Sequence, residues 1–275
     1  MDLRINGISN QKPDTLIGMP TLCLFCDNNS GSKEHLWPKW IHARKDFGPI
    51  NFQLGKSEKK ELPNPEIMVK TVCGVCNNGW MSKLESANIP TISNMLQDVA
   101  IPLDEAQQKL VAAWTVKTAM MTDSMKGRGA SNQFYNRDEC VNMRLKQEIP
   151  NRTLIWISRI DGMHLVDTGT DFALFDLHKQ RIGMGSVTTI VAGHFVTQVA
   201  TVHIEKANTE IASLPCKMGN WDQSLIQIWP IQMPTVQWPP KASFTNGGPA
   251  GLAYLMDRWR MGEPVEKVNR VVPEG

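Results

Sequence analysis

Four of the six cysteines stand in two CxxC pairs, Cys23/Cys26 and Cys73/Cys76. A CxxC turn directs both sulfurs toward one point, and two such turns complete a tetrahedron of thiolates, which is the pattern of a structural zinc site. Free core thiols and two redox pairs are the alternatives. A redox CxxC is usually single and opens a helix after a strand, so two balanced pairs favour zinc. Such a site is closed and organises the fold without doing chemistry itself.

Four polar residues stand close to these pairs in the sequence. Glu34 and His35 open a Glu-His-Leu-Trp-Pro segment between the two pairs, and Asn77 and Asn78 directly follow the last cysteine. Register with that cysteine favours Asn77 over Asn78 as the functional amide. A carboxylate, an imidazole and a carboxamide are therefore expected near one metal. A metal site that only stabilised the fold would not need these three groups beside it.

The order CxxC, Glu-His-x-x-Pro, CxxC-Asn resembles the HNH nuclease family with its ββα-metal core, over residues 21–87. The resemblance implies that Glu34 and Asn77 hold a catalytic divalent cation, Mg²⁺ or Mn²⁺, leaving open positions for water and phosphate oxygens. It implies that His35 is the general base, since imidazole titrates near neutrality and can take a proton from water. The zinc is then structural and ties the unit together from outside.

The activity that this resemblance implies is hydrolysis of phosphodiester bonds to a 5′-phosphate and a 3′-hydroxyl. Double-stranded DNA is the expected substrate, and restriction, phage defence or a mobile element is the setting suggested by analogy. Many family members carry a middle Asn shortly before the second CxxC. That place holds Met68 here, with Asn64 and Asn51 as upstream substitutes. A catalytically silent zinc module that binds nucleic acid or a partner protein is the alternative.

The composition describes a globular chain: 275 residues, 41% hydrophobic, 20% charged, with a net charge of +2. No apolar run approaches the roughly 20 residues of a membrane helix, and the N-terminus lacks the layout of a signal peptide. Cysteines arranged for metal indicate a reducing compartment, so we expect a cytoplasmic protein without membrane contact. The charge is near balance, so DNA affinity should come from a local face that includes Lys33, Lys39, Arg44 and Lys45.

The predicted fold class is α+β: a ββα-metal (HNH, or His-Me finger) unit with a four-cysteine zinc site, then helices and an antiparallel sheet. The predicted domains are an N-terminal arm (1–20), the nuclease unit (21–103), a helical connector (104–150) and a C-terminal recognition or assembly domain (151–275). The last domain is expected to pack on the nuclease unit through the helix that starts at Asp104. A second copy of the chain or a partner protein could bind through it.

Local patterns predict most of the elements. In the nuclease unit we expect a helix over Lys39–Lys45, a strand over Val69–Val72 and a helix over Asn78–Ser86. Two capping boxes, Asp104 with Gln107 and Asn136 with Glu139, predict two further helices. The remaining predictions are a hairpin of Leu154–Ile157 and His164–Val166 around Asp161-Gly162, a second hairpin of Val187–Val191 and His194–Ile204 with Gly193 in its turn, a strand over Leu225–Trp229 and a last helix from Gly248.

Overall fold

The computed structural model describes residues 21–44, 47, 50–52, 60–62, 67–126, 133–175, 180–205 and 224–244. The strands are β1 (Leu22–Cys23), β2 (Cys26–Asn29), β3 (Ser32–His35), β4 (Ile50–Phe52), β5 (Lys60–Leu62), β6 (Met68–Val72), β7 (Ile101–Asp104), β8 (Thr153–Phe175), β9 (Arg181–Ile204), β10 (Ile226–Trp229) and β11 (Thr235–Trp238). The helices are α1 (Lys39–Arg44), α2 (Gly74–Cys76), α3 (Ser82–Leu96), α4 (Glu105–Asp123) and α5 (Arg137–Lys146). The predicted arm over 1–20 and the predicted helix from Gly248 lie outside the described residues.

Short antiparallel pairs build the cysteine-bearing unit. Strand β1 pairs with β2 and brings Cys23 opposite Cys26, while β3 pairs with β6. The predicted helix at Lys39 and the predicted strand before the second CxxC are both confirmed to within one residue. Ile41 on α1 and Val72 on β6 are fully buried. The unit therefore closes a small apolar core over its cysteines.

The helix after the second CxxC is longer than predicted. Helix α2 is followed by a π-helical segment, Asn77–Met81, in which the chain kinks at Gly79 (φ −96°, ψ −107°). Helix α3 then runs past Pro90 to Leu96. The predicted end at Ser86 is wrong because later residues, among them Ile92 and Leu96, are buried in the core that α3 shares with α4 and β9. This burial outweighs the lost hydrogen bond and the ring clash that Pro90 imposes on the helix. The Asn88 side chain adds a link, donating to the Leu84 carbonyl at 2.9 Å and to the Leu110 carbonyl at 3.1 Å.

Both predicted capping boxes are confirmed. The Asp104 carboxylate accepts from the Gln107 backbone N–H at 2.8 Å, and the Gln107 side chain accepts from the Asp104 N–H at 3.0 Å. Asn136 and Glu139 repeat this exchange at the start of α5. Helix α4 is buried along most of its length and contacts both α3 and the sheet that contains β8 and β9.

The two predicted hairpins in the C-terminal half are wrong. Residues 153–175 form one strand, β8, which pairs antiparallel with the equally long β9. The residues predicted as turns are bends in this ribbon: the register shifts between Arg159 and His164, and His164 lies opposite Gly193. Gly193 has φ +59°. Because the breaks on the two strands coincide, the ribbon bends there instead of reversing.

This bend is fixed to the end of α3. A Cβ atom on Gly193 would lie 2.6 Å from the Leu96 carbonyl oxygen, so the strand approaches the helix as closely as a glycine permits. Beside it, the Arg159 guanidinium binds both carboxylate oxygens of Asp98 at 2.7 Å. The ribbon therefore packs on α3 as well as on α4.

Strand β10 completes a three-stranded antiparallel sheet with β8 and β9, and β11 pairs with β7. The predicted strand at Leu225 begins one residue later, at Ile226. One cluster of buried apolar side chains extends from the cysteine unit through α3 and α4 to the sheet. The fold is mixed α+β with antiparallel sheets, as predicted, while the proposed domain boundaries remain predictions.

Candidate functional site

The four CxxC cysteines meet in one buried cluster. Their Sγ atoms all lie within 4.8 Å of one another, and the Cys26 sulfur is 3.5 Å from those of Cys73 and Cys76. A tetrahedron of thiolates with metal–sulfur distances of about 2.3 Å has edges of about 3.8 Å. The four side chains are thus arranged to hold a metal ion, as predicted, and the geometry is consistent with structural zinc.

Hydrogen-bond donors already surround these sulfurs. The Cys23 Sγ accepts from the backbone N–H of Cys73 at 3.2 Å, and the Cys73 Sγ accepts from that of Cys76 at 3.4 Å. Burial raises the pKa of the Cys23 and Cys76 thiols. At Cys73 burial acts in the same direction, but donors, including the Asn28 side chain, outweigh it and lower the pKa to about 6. The Cys73 sulfur therefore favours the thiolate, the form that binds metal.

Glu34 lies on β3 with its side chain turned into the protein, and the residue is only 8% exposed. Burial raises the pKa of its carboxyl to about 7; the positive charge of Lys117 and a hydrogen bond from the Asn77 side chain act in the opposite direction. A carboxylate that is costly to ionise and still retains hydrogen-bonding partners is typical of a functional site. The Glu34 carboxyl therefore releases its proton less readily than that of an ordinary glutamate.

Asn77 begins the π-helical turn directly after the cysteine cluster. Its Nδ2 donates to the Ser32 hydroxyl at 2.9 Å, and its side chain lies close enough to Glu34 to lower the pKa of that carboxyl slightly against the effect of burial. Glu34 and Asn77, which are distant in the sequence, are thus neighbours in the structure, whereas Asn78 is exposed.

His35 follows Glu34 on the same strand and is half-buried. Glu34 pairs with Val69 and His35 with Met68 in regular register, and the irregularity in the ladder lies earlier, between Ser32 and Glu34. Successive side chains on a regular strand alternate between faces, so the imidazole leaves the strand on the more open side. Within the described part of the chain, no hydrogen bond joins its side chain to Glu34 or Asn77.

A buried ion pair that the sequence analysis did not predict adjoins Glu34. Lys117 of α4 donates to Glu85 of α3 at 2.9 Å, and the exposed fractions of the two side chains are 2% and 16%. Both charges act on the Glu34 carboxyl. One feature of the sequence could have indicated this pair: Lys117 comes three residues after Trp114 on the apolar face of α4, where its ammonium cannot reach water.

No family model, curated protein or solved structure matches this chain. Among the described residues, no helix has the length and apolar character needed to cross a membrane.

Proposed function

We propose that the chain is a metal-dependent endonuclease of the HNH type that hydrolyses phosphodiester bonds in double-stranded DNA. The observation that carries the proposal is the grouping of the buried Glu34 carboxyl and the neighbouring Asn77 side chain beside a four-cysteine cluster. Strands β3 and β6 and the helix after the second CxxC form the two-strand-and-helix arrangement expected of a ββα-metal unit. The residue order and the spatial grouping thus support the same class of enzyme.

In this proposal the four cysteines hold a structural zinc ion. All four ligand positions are thiolates in a buried cluster, which leaves no open position for a substrate. The zinc joins the β1–β2 turn to the start of α2 and thereby fixes the position of Asn77 relative to β3. It contributes to activity only through folding.

The second metal site would be formed by Glu34 and Asn77. The carboxylate and the amide oxygen form the all-oxygen donor set that Mg²⁺ and Mn²⁺ take, and two protein ligands leave room for water and phosphate. A divalent cation bound there supplies charge neutralisation at the scissile phosphate. Glu34 binds as the anion, Asn77 orients its amide oxygen, and His35 takes a proton from the attacking water.

Substrate binding is assigned to exposed basic residues on the cysteine unit. Lys33 on β3, Lys39 on α1 and Lys83 on α3 are exposed, and phosphate contacts from such residues would bring the duplex to His35. Of the other predicted contacts, the side chain of Arg44 and all of Lys45 lie outside the described residues. We assign recognition or assembly to residues 151–275 and place the enzyme in the cytoplasm, acting in restriction, phage defence or a mobile element.

One observation favours a second candidate, a catalytically silent zinc module that binds nucleic acid or a partner protein. Met68 pairs directly with His35, at the place where an Asn would orient the imidazole, and its residue is 46% exposed. A thioether cannot orient the imidazole as a carboxamide does. Under this alternative, His35→Ala leaves nucleic-acid binding intact, while Cys73→Ser abolishes it through misfolding.

Conversion of supercoiled plasmid to nicked and linear forms with Mg²⁺ or Mn²⁺ tests the proposal. Wild type should cleave, and His35→Ala should be at least about 100-fold slower, the usual contribution of a general base. His203→Ala is the matched control, because His203 on β9 is engaged with Glu139 at 2.8 Å. If wild type and His35→Ala behave alike with every metal, the endonuclease proposal fails and the silent module replaces it.

A further inference from the structure

The pairing of β3 with β6 gives the cysteine unit an inner and an outer face. Glu34 and Val69 lie opposite each other, and both are buried on the inner face. Because successive side chains of a strand alternate between faces, their neighbours along the two strands lie on the outer face. The outer face of β3 and β6 consists of Lys33, His35, Met68 and Lys70, which are exposed except for the half-buried His35.

Two of these four residues are lysines that neighbour each other across the strands. The ladder shifts register between Ser32 and Glu34. Lys33, which lies between them, therefore faces Lys70 and Thr71 on β6. Side chains in such a position have Cβ atoms roughly 5 Å apart, and like charges placed there destabilise a sheet. An anion bound at the two lysines would offset this repulsion.

The charge of this face and the position of His35 indicate which anion it would bind. Glu34 is the acidic residue of the two strands, and it lies on the inner face, so the outer face is positively charged. His35 follows Lys33 by two residues on β3, a distance of about 7 Å along a strand. Lysine carries three N–H donors on a flexible stem and binds phosphate as a point charge. A DNA strand presents its phosphates in series, so one phosphate can face His35 while its neighbours lie at the lysines.

We infer that Lys70, together with Lys33, binds backbone phosphates of duplex DNA beside the phosphate that faces His35. The inference rests on the proposed function in one respect, that duplex DNA is the substrate. It adds a residue of β6 to the DNA-binding surface and assigns that surface to the outer face of the β3–β6 pair. In this role the lysines position the duplex and take no part in bond cleavage.

The salt dependence of DNA binding tests this inference. Fluorescence anisotropy of a short labelled DNA duplex measures the affinity of the zinc-loaded full-length protein at several NaCl concentrations, without Mg²⁺ or Mn²⁺ so that no cleavage occurs. Each phosphate contact contributes about 0.9 to the slope of log Kd against log [NaCl]. Lys33→Met and Lys70→Met should each lower this slope by about 1, and the double variant should lower it by about 2.

Two control variants separate a phosphate contact from a general effect of net charge. Lys70→Arg keeps the positive charge and should leave the slope within about 0.3 of wild type. Lys146→Met removes one charge from α5, where the Lys146 side chain is 66% exposed, and should also stay within about 0.3. An unchanged slope for Lys70→Met, an equal change for Lys146→Met, or no binding of the duplex by wild type would overturn the inference. Zinc content and thermal unfolding establish that each variant is folded.

Failure of this inference and failure of the proposed function give different results, because plasmid cleavage is measured separately from DNA affinity. Cleavage by wild type together with an unchanged slope for Lys70→Met removes only the role of the lysines. A reduced slope for Lys70→Met without cleavage by wild type supports that role and removes the endonuclease. The protein would then be the silent module that binds nucleic acid.

Discussion

Replacing Lys117 by methionine should strongly destabilise the protein. The ammonium binds Glu85 at 2.9 Å, and the exposed fractions of the two side chains are 2% and 16%. Lys117→Met keeps the length of the side chain but leaves the buried Glu85 carboxylate without its partner, with Glu34 close by. Breaking such a pair costs about 3 kcal/mol or more of the free energy of unfolding. Urea unfolding at pH 7.5 followed by circular dichroism measures this loss.

Two further variants establish that the loss comes from desolvated charge. Adding Glu85→Gln removes the stranded carboxylate, so the double variant should recover to within about 1 kcal/mol of wild type. Lys146→Met is the matched control: Lys146 and Glu148 are 3.6 Å apart, with side chains 66% and 48% exposed, and the change should stay within about 0.5 kcal/mol. A loss below about 1 kcal/mol for Lys117→Met, or no recovery in the double variant, would refute the reasoning.

Three further variants test the buried Glu34 carboxyl, the cysteine cluster and the packing of the ribbon on α3. The pKa of Glu34 is about 7 in the folded protein, against an ordinary value of 4.5. Ionisation of Glu34 should therefore remove up to about 3 kcal/mol of the free energy of unfolding as the pH rises from 4.5 to 7. In urea unfolding of the metal-free proteins, Glu34→Gln should lack this loss, and parallel pH profiles of wild type and variant would contradict the prediction. Cys73→Ser should lose its zinc by metal analysis, whereas Cys140→Ser, which changes a buried cysteine outside the cluster, should retain it; equal zinc in both would contradict the four-cysteine site. Gly193→Ala should lower the free energy of unfolding in urea by about 2 kcal/mol or more, because the residue has φ +59° and the new Cβ would collide with the Leu96 carbonyl. An unchanged unfolding midpoint would show that the ribbon does not pack on α3 as described.

The features that the sequence predicted correctly are those decided by neighbouring residues. Each capping box needs only residues three apart, and both occur as expected at Asp104 and Asn136. Each CxxC turn likewise brings its two sulfurs together through local backbone geometry. The spacing of the two pairs was therefore enough to predict that the four sulfurs form one cluster. In these cases the local preference and the packing of the whole chain agree.

The features that the sequence did not predict depend on distant contacts. Asp161-Gly162 and Gly193 are ordinary turn signals, and only their placement on facing strands makes them bends of one ribbon. Pro90 lies inside a helix because α4 covers the residues beyond it. The sequence does not distinguish Lys117 from other lysines of a helix, because its partner Glu85 lies on α3 and reaches it only in the folded protein. Register and burial are properties of the pairing between segments, which no single segment encodes.

The central claim is that Glu34 and Asn77 hold the cation used to cleave DNA. The most direct measurement compares single-turnover plasmid nicking, in excess Mg²⁺, by two neighbouring alanine variants. Asn77→Ala, which removes the amide proposed as a ligand of the cation, should be slower by about 10- to 100-fold. Asn78→Ala, which changes an exposed neighbour, should remain within about twofold of wild type. Equal rates for the two variants, or wild-type nicking that needs no divalent cation, would contradict the claim.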